Sequence, residues 1–262
     1  MTAAPEKASG RSRLRTAIVG TFNLWTTLLL ATVFLALLFL VAVVTLFQAR
    51  RFYSEFCVRH FSRLMLWLAR TPMRVHGGPA GDGQFFYMPN HPSGPDIFVL
   101  MALGLPNTRF FLSRGVLKRY PPIGLIAAIM GVFFTPNQRD TPARIRCFER
   151  ACRHLAKSGE SVLGSPEGQV VPEPTVGRFN RGVFHLATLL QVPIQPLYLY
   201  FPPGTSAGRG YAPDKPEVDV YFLPLIPTAG WRVEEVDSNK ERVRQVFLDF
   251  GQKLAEARGD AR

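Results

Sequence analysis

A histidine and an aspartate flank a rigid turn in the stretch YMPNHPSGPDIFVL, residues 87–100. His91 ends an apolar run, and Asp96 follows five positions later, after two prolines, a serine and a glycine. Pro92 favours an extended backbone at His91, which predicts that the imidazole lies at the end of a strand. Asp96, in the first turn of a following helix, can accept the Nδ1–H of that ring and leave Nε2 to take a proton from a hydroxyl. The pair therefore fits a general base with its orienting acid.

The same residues also fit a purely structural role. Ser93 can cap the helix, and Asp96, three residues later, can complete a capping box with Asp in place of Glu. Pro95 then occupies the first turn, where its missing N–H costs nothing. The spacing H-x-x-x-x-D alone does not decide between catalysis and capping, and the two roles are compatible.

The stretches around this pair alternate between strand and helix patterns. Short apolar runs typical of strands occupy residues 73–77, 84–88, 108–113, 132–135, 161–164, 193–201 and 218–225. Helical patterns occupy residues 96–103, 121–131, 141–157, 179–191 and 236–257. This alternation predicts an α/β fold with a mixed, mostly parallel sheet flanked by helices. His91 then lies at a strand end, where ligands bind in such sheets.

An uncharged segment covers residues 16–49 and predicts a transmembrane helix. As a helix it would be roughly 50 Å long, against about 30 Å for the apolar core of a bilayer. A cleaved signal peptide would be shorter and would end in small residues, whereas this segment runs into Arg50 and Arg51. Basic residues flank it on both sides, so charge does not set its orientation.

The predicted organisation is therefore a basic tail at 1–15, a transmembrane helix at 16–49, an amphipathic helix at 50–71 and a folded domain at 72–262. The apolar positions of the amphipathic helix are Phe56, His60, Phe61, Leu64, Trp67 and Leu68. Such a helix can lie in the lipid interface or pack on the folded domain, and the sequence leaves both open.

The amino-acid composition limits the classes of molecule that the protein is expected to bind. A formal net charge of +12 favours anionic lipid, phosphorylated substrates or nucleic acid. The arginines form no compact nucleic-acid motif, so no nucleic-acid partner is expected. The three cysteines have no metal-ligand spacing, and neither H-E-x-x-H nor G-x-S-x-G occurs. No metal is expected, and a lipid hydrolase lacks its usual motifs.

Further motifs follow the His–Asp turn in a familiar order. They are R-x-x-L from Arg114, P-x-x-G, G-x-x-F, P-E-G from Pro166, F-x-x-G and V-P-I-x-P around Pro193. Together with Asn90-His91 and Asp96, this set resembles the glycerolipid acyltransferase family, typified by 1-acylglycerol-3-phosphate acyltransferases. The resemblance covers about residues 85–200, and an N-terminal hydrophobic anchor is also common in that family.

The resemblance implies a reaction. His91 would deprotonate the hydroxyl of a lyso-glycerolipid such as 1-acylglycerol-3-phosphate, and Asp96 would orient the base. The acyl donor would be an acyl-carrier-protein or coenzyme A thioester, with no other cofactor and with membrane lipids as partners. The expected location is a bacterial inner membrane, single-pass or monotopic, with the catalytic domain on the cytoplasmic face. The residues expected to support the motifs are Asn90, Arg114, Pro166 and Pro193.

Glu167 and Gly168 match the acceptor-site Glu-Gly of the family, but the cations depart from its pattern. The usual P-E-G-T-R-S places an arginine where this chain has Val170, and the arginine after G-x-x-F is replaced by Asn137. The nearest cations, and so the candidates for binding an acceptor phosphate, are Arg139, Arg178 and Arg181. The alternatives are an acceptor without a phosphate, such as a lyso-aminolipid, or a catalytically degenerate lipid-binding or scaffold protein.

Overall fold

A seven-stranded sheet forms the centre of the molecule. The computed structural model describes residues 10–93, 96–171, 176–202 and 217–259. In these residues the strands are β1 Met73–His76, β2 Phe86–Pro89, β3 Thr108–Ser113, β4 Phe133–Thr135, β5 Ser161–Leu163, β6 Ile194–Tyr200 and β7 Val218–Phe222, in the spatial order β1-β7-β6-β2-β5-β3-β4. Strands β6, β2, β5, β3 and β4 are parallel to one another, and β7 runs antiparallel to β6. The predicted mixed, mostly parallel α/β sheet is confirmed.

Helices cover both faces of this sheet. They are α1 Gly10–Val44, α2 Arg59–Leu68, α3 Asp96–Leu103, α4 Arg114–Arg119, α5 Pro121–Ile129, α6 Thr141–Ser158, α7 Arg181–Leu190 and α8 Val236–Arg258, with a π-helical segment Phe52–Val58 before α2 and a 3₁₀ turn Val233–Glu235 before α8. The sequence pattern did not indicate α4, a single short turn that Ser113 caps by accepting a hydrogen bond from the backbone N–H of Gly115.

The core lies in two clusters, one on each face of the sheet. Because successive side chains of a strand point to opposite faces, Tyr87 joins the cluster under α1, α2, α3 and α5, whereas Phe86 joins the cluster under α6, α7 and α8. Phe184 of α7 and Phe247 of α8 are fully buried in the second cluster. The parallel strands therefore end together between two packed helical layers.

Helix α1 contains a segment, Gly20–Val44, that is long and apolar enough to cross a membrane by length and composition. Its second half is also part of the fold, because Ala31, Leu38 and Ala42 are buried in the first core cluster. Phe34 stacks on Phe61 of α2 with 4.2 Å between the ring centroids. The opposite face of α1 leaves large apolar side chains exposed, among them Trp25, Leu29, Val33, Leu37 and Leu40.

The bounds of this helix differ from the prediction of 16–49. The helix begins within the predicted tail, at Gly10, and the first nine residues of that tail lie outside the described residues. It ends at Val44, since Leu46 and Phe47 have left-handed backbones with φ of 51° and 57° and the N–H of Phe47 donates to the carbonyl of Ala42. Hydrophobicity continues past this point, but the chain turns back toward the domain there.

The predicted amphipathic helix at 50–71 divides into the π-helical segment and α2. Its buried side consists of Phe61, Ser62, Met65 and Leu66, and this side packs against α3. Phe56, Leu64, Trp67 and Leu68 remain exposed, Trp67 at 73%. The helix therefore packs on the domain through one face and presents a second apolar face to its surroundings.

Candidate active site

The His–Asp pair forms at the carboxyl end of β2. His91 Nδ1 lies 2.8 Å from Oδ2 of Asp96, whose carboxylate is 1% exposed. The same oxygen accepts a longer hydrogen bond of 3.4 Å from the backbone N–H of Ser93. Asp96 is thus the first residue of α3 and the partner of the imidazole at once. The predicted position of Pro95 in the first turn lies outside the described residues.

Glu167 holds the backbone of His91 from the neighbouring strand end. Its Oε2 accepts the N–H of His91 at 2.6 Å, and its Oε1 accepts the N–H of Gly177 at 2.7 Å. The carbonyl of His91 in turn accepts the N–H of Val171 at 2.8 Å. Glu167 is 3% exposed, so both oxygens of a buried carboxylate are occupied by main-chain donors. This geometry was not evident from the sequence, where His91 and Glu167 are far apart.

Burial and neighbouring groups shift the pKa of His91 and that of Glu167. Burial opposes a charge on the ring, but the charge and hydrogen bond of Asp96 and the charge of Glu167 together raise the pKa of His91 above its ordinary value. Burial also raises the pKa of Glu167, against the stabilising hydrogen bonds from Gly177 and His91. A basic imidazole therefore faces the site.

Two residues next to this pair fix the strand ends. The side chain of buried Asn90 bonds the backbone of Leu199 twice, donating from Nδ2 at 3.0 Å and accepting at Oδ1 at 2.7 Å. This ties the end of β2 to β6. Gly168 has φ of 63°, and a Cβ there would lie 2.9 Å from Nδ2 of Asn180. The Glu-Gly turn therefore requires its glycine for conformation and for space.

The candidate cations surround the turn from Pro166 to Gly168. The carbonyl of Gly168 accepts a hydrogen bond from Gln138, next to Arg139. Gly177, the partner of Glu167, precedes Arg178, and Asn180, which bonds the carbonyl of Pro166, precedes Arg181. All three arginines are exposed, and Arg181 lies 3.4 Å from Asp237. Each of the three candidates therefore follows a residue that contacts this turn.

The other predicted motif residues are placed differently. Arg114 begins α4 directly after β3, at the same edge of the sheet as His91. Pro193 lies at the opposite end, where its carbonyl accepts the N–H of Phe86 at the start of β2. Pro193 therefore directly precedes β6, at the end of the sheet opposite the His–Asp pair.

An apolar cavity opens beside the imidazole. His91, Asp96, Asn90 and Ser165 form its polar end. The remaining walls come from the π-helical segment, α2, α3, α5 and the strand ends, and include Val58, Phe61, Phe98, Phe110, Leu112, Ile126, Met130 and Leu163. An aliphatic chain is the ligand that such a lining favours. Among the described residues no group of three metal-ligating side chains occurs.

The fold and site define a class: an α/β protein that places a His–Asp pair at parallel strand ends, beside a cavity suited to an acyl chain. Residues 72–200 match the family model described as Acyltransferase. The chain belongs to the acyltransferase family, and the predicted resemblance is confirmed.

Several proteins of similar sequence carry the name of an acyltransferase. A chloroplastic 1-acyl-sn-glycerol-3-phosphate acyltransferase of Brassica napus is 34% identical over 122 residues, which cover 46% of this chain and 34% of the relative. A 1-acyl-sn-glycerol-3-phosphate acyltransferase of Cocos nucifera is 22% identical over 261 residues, covering 94% of this chain and 84% of the relative. The chain spans 65% of the length of a Limnanthes douglasii protein of the same name.

A solved structure has the same fold. The crystal structure of the 1-acyl-sn-glycerophosphate (LPA) acyltransferase PlsC from Thermotoga maritima superposes with a TM-score of 0.74 at 16% identity, covering 92% of this chain and 97% of that one. At this identity the likeness shows the fold. The superposition covers nearly the whole chain and so extends beyond residues 72–200.

Proposed function

We propose that this protein transfers a fatty acyl group from an acyl thioester to the hydroxyl of a lyso-glycerolipid, with 1-acylglycerol-3-phosphate as the acceptor. The observation that carries the proposal is the 2.8 Å bond between His91 Nδ1 and Asp96 at the mouth of an apolar cavity. Family membership and the names of the relatives support the same reaction. The donor is acyl-carrier-protein or coenzyme A thioester, both anionic partners that suit a chain of net charge +12.

In the proposed step, Nε2 of His91 takes the proton of the acceptor hydroxyl, because Nδ1 is committed to Asp96. The oxygen attacks the thioester carbonyl and forms a tetrahedral intermediate. Its collapse breaks the carbon–sulfur bond, and the departing thiolate takes the proton back from the imidazolium. Asp96 stabilises the imidazolium in between. These steps require neither a covalent acyl-enzyme intermediate nor a cofactor.

The acceptor phosphate is proposed to lie against the arginines around the Pro166–Gly168 turn. Arginine binds phosphate through a planar fork with two parallel donors. All three arginines are exposed, and Arg181 also forms an ion pair with Asp237. Glu167 and Gly168 shape this turn, and their predicted contact with the acceptor remains a proposal.

An acceptor without a phosphate is the second candidate. Val170 and Val171 occupy the position after the Glu-Gly turn and are half-buried, and apolar side chains cannot pair with an anion there. Lyso-aminolipids are the class of acceptor that this replacement favours.

The test offers the purified protein a labelled acyl donor with either lysophosphatidic acid or a lyso-aminolipid, and reads the products by mass spectrometry. We expect lysophosphatidic acid to be preferred and the Arg139→Ala and Arg178→Ala variants to raise its KM about tenfold or more. The matched control is Arg232→Ala, an exposed arginine beyond the other end of α7. Preference for the aminolipid in the wild type would favour the second candidate. Transfer to neither acceptor would contradict the proposed function.

A further inference from the structure

A second groove lies on the far side of α5 from the active-site cavity. Its apolar walls are Leu35 and Phe39 of α1, Phe47 after it, and Leu125 and Ile129 of α5. Ile123, Ile126 and Ala127 of α5 line the active-site cavity instead. Helix α5 is thus the common wall of two mainly apolar spaces, and the second is bounded by the helix that could cross a membrane.

One end of this groove is positively charged. Arg50 and Arg109 line it together with Gly131. Both guanidinium groups pair with the single carboxylate of Glu160, Arg109 through Nε at 2.7 Å. Two cations therefore share one anion, and His154, 2.7 Å from the same carboxylate, adds charge when it is protonated.

Arg50 retains an unused donor. Its Nη1 is buried and has no hydrogen-bond partner among the described residues. Burial, and secondarily the neighbouring charge of Arg109, lower the pKa of Arg50, while Glu160 offsets part of this. Gly131 keeps the end of the groove open, since a Cβ there would lie 2.7 Å from Nη1 of Arg109 and 3.0 Å from Cδ of Arg50. An anion at this end of the groove would face two guanidinium groups that have one carboxylate between them.

We propose that the groove binds an anionic glycerophospholipid of the bilayer, with its phosphate against Arg50 and an acyl chain between α1 and α5. Charge complementarity selects an anionic head, and the apolar walls select a chain. This lipid is neither the acceptor nor the product, because α5 separates it from His91. The lipid has a structural role, because it fills the space between α1 and the rest of the domain.

Lipid binding by the full-length protein in detergent tests the proposal. Native mass spectrometry is run without acyl donor, with phosphatidylglycerol and phosphatidylcholine of matched chains. We expect phosphatidylglycerol to bind about tenfold more tightly, because the choline cation of phosphatidylcholine offsets the phosphate charge that would face Arg50. This experiment measures lipid binding and not acyl transfer. Its result can therefore be interpreted even if the proposed acyltransferase function is wrong.

Two variants test the groove independently of each other. Arg50→Gln removes the charge, and Ala128→Phe fills the space from an exposed position on α5. Both should abolish the tenfold preference. The controls are Arg51→Gln, an exposed arginine paired with Glu55, and Leu40→Phe on the open face of α1, which should keep it. If Arg50→Gln fails to fold, Ala128→Phe decides. Equal binding of the two lipids by the wild type, or full preference in a folded groove variant, would overturn the proposal.

Discussion

At the scale of single residues, the proposed chemistry depends on how the protein sets the basicity of one imidazole. Asp96 and Glu167 together raise the pKa of His91 above its ordinary value of 6.5, against the effect of burial. A general base must be neutral to accept a proton. Activity should therefore fall as pH decreases through this raised pKa and reach its plateau above it.

The Asp96→Asn variant tests this relation. Without the carboxylate, the pKa of His91 should drop, so the acidic limb of the kcat/KM profile should move to lower pH. The plateau should also fall by about 10²–10⁴-fold, since the imidazolium loses its stabilising partner. Glu149→Gln, an exposed carboxylate on α6, is the control. An acidic limb at the same pH in wild type and variant would show that Asp96 does not tune the base.

Glu167 offers a sharper distinction between positioning and acceptor binding. Glutamine at this position can accept only one of the two main-chain bonds that the carboxylate now accepts from His91 and Gly177. If Glu167 positions the base, Glu167→Gln should lower kcat about tenfold or more and leave the KM for the acceptor nearly unchanged. A rise in KM at normal kcat would instead assign Glu167 to the acceptor, as the family resemblance implies.

At the scale of elements, a buried ionic cluster joins the end of α1 to the sheet. Glu160 precedes β5 and pairs with Arg50, Arg109 and His154. Burial alone would raise the pKa of Glu160, but the bonds from Arg109 and His154 and the charge of Arg50 hold it below its usual value. The cluster thus links the turn after α1, β3 and α6 through one carboxylate.

Removing this carboxylate should destabilise the fold. Glu160→Gln leaves Arg50 and Arg109 without their anion, and breaking a buried pair costs about 3–5 kcal/mol. Because the folded pKa of Glu160 is depressed, its contribution is full above the ordinary value of 4.5 and is lost as pH falls through the folded pKa. Thermal unfolding at neutral and acidic pH measures both effects. Equal stability of wild type and variant at pH 7 would contradict this account of the cluster.

The elements also show how far the sequence alone could lead. The periodicity of apolar residues and the positions of turn residues predicted the ends of β3 and α6 to within one residue, because those segments have clear patterns and boundaries. The same reasoning placed His91 and Asp96 on either side of one turn. It could not find the contact of Glu167 with His91 or of Arg50 with Glu160, since both join residues that only the folded sheet brings together. It also extended α1 past Val44, where left-handed residues end it despite continued hydrophobicity.

At the scale of the whole molecule, truncation can separate the buried part of α1 from its exposed part. Its second half is buried through Ala31, Leu38 and Ala42, whereas its first half and its outer face leave apolar side chains exposed. We expect deletion of residues 1–30 to weaken membrane attachment while the domain stays folded. Deletion of residues 1–49 should in addition lower the unfolding temperature, because it uncovers the first core cluster.

Vesicle sedimentation measures the attachment that remains. The shorter deletion should still bind anionic vesicles through exposed Trp67, Leu68 and the positive charge, and this binding should decrease with added salt. Neutral vesicles are the control. Binding that ignores both lipid charge and salt would contradict an interfacial role for α2.

The central claim is that His91, oriented by Asp96, activates an acceptor hydroxyl for attack on an acyl thioester. A single-turnover assay tests it most directly, with labelled acyl thioester and lysophosphatidic acid offered to wild type and to His91→Ala. The account predicts acyl transfer by the wild type and a loss of about 10²–10⁴-fold in the variant, with the fold and vesicle binding unchanged. Transfer at a near-normal rate by a folded His91→Ala protein would contradict it.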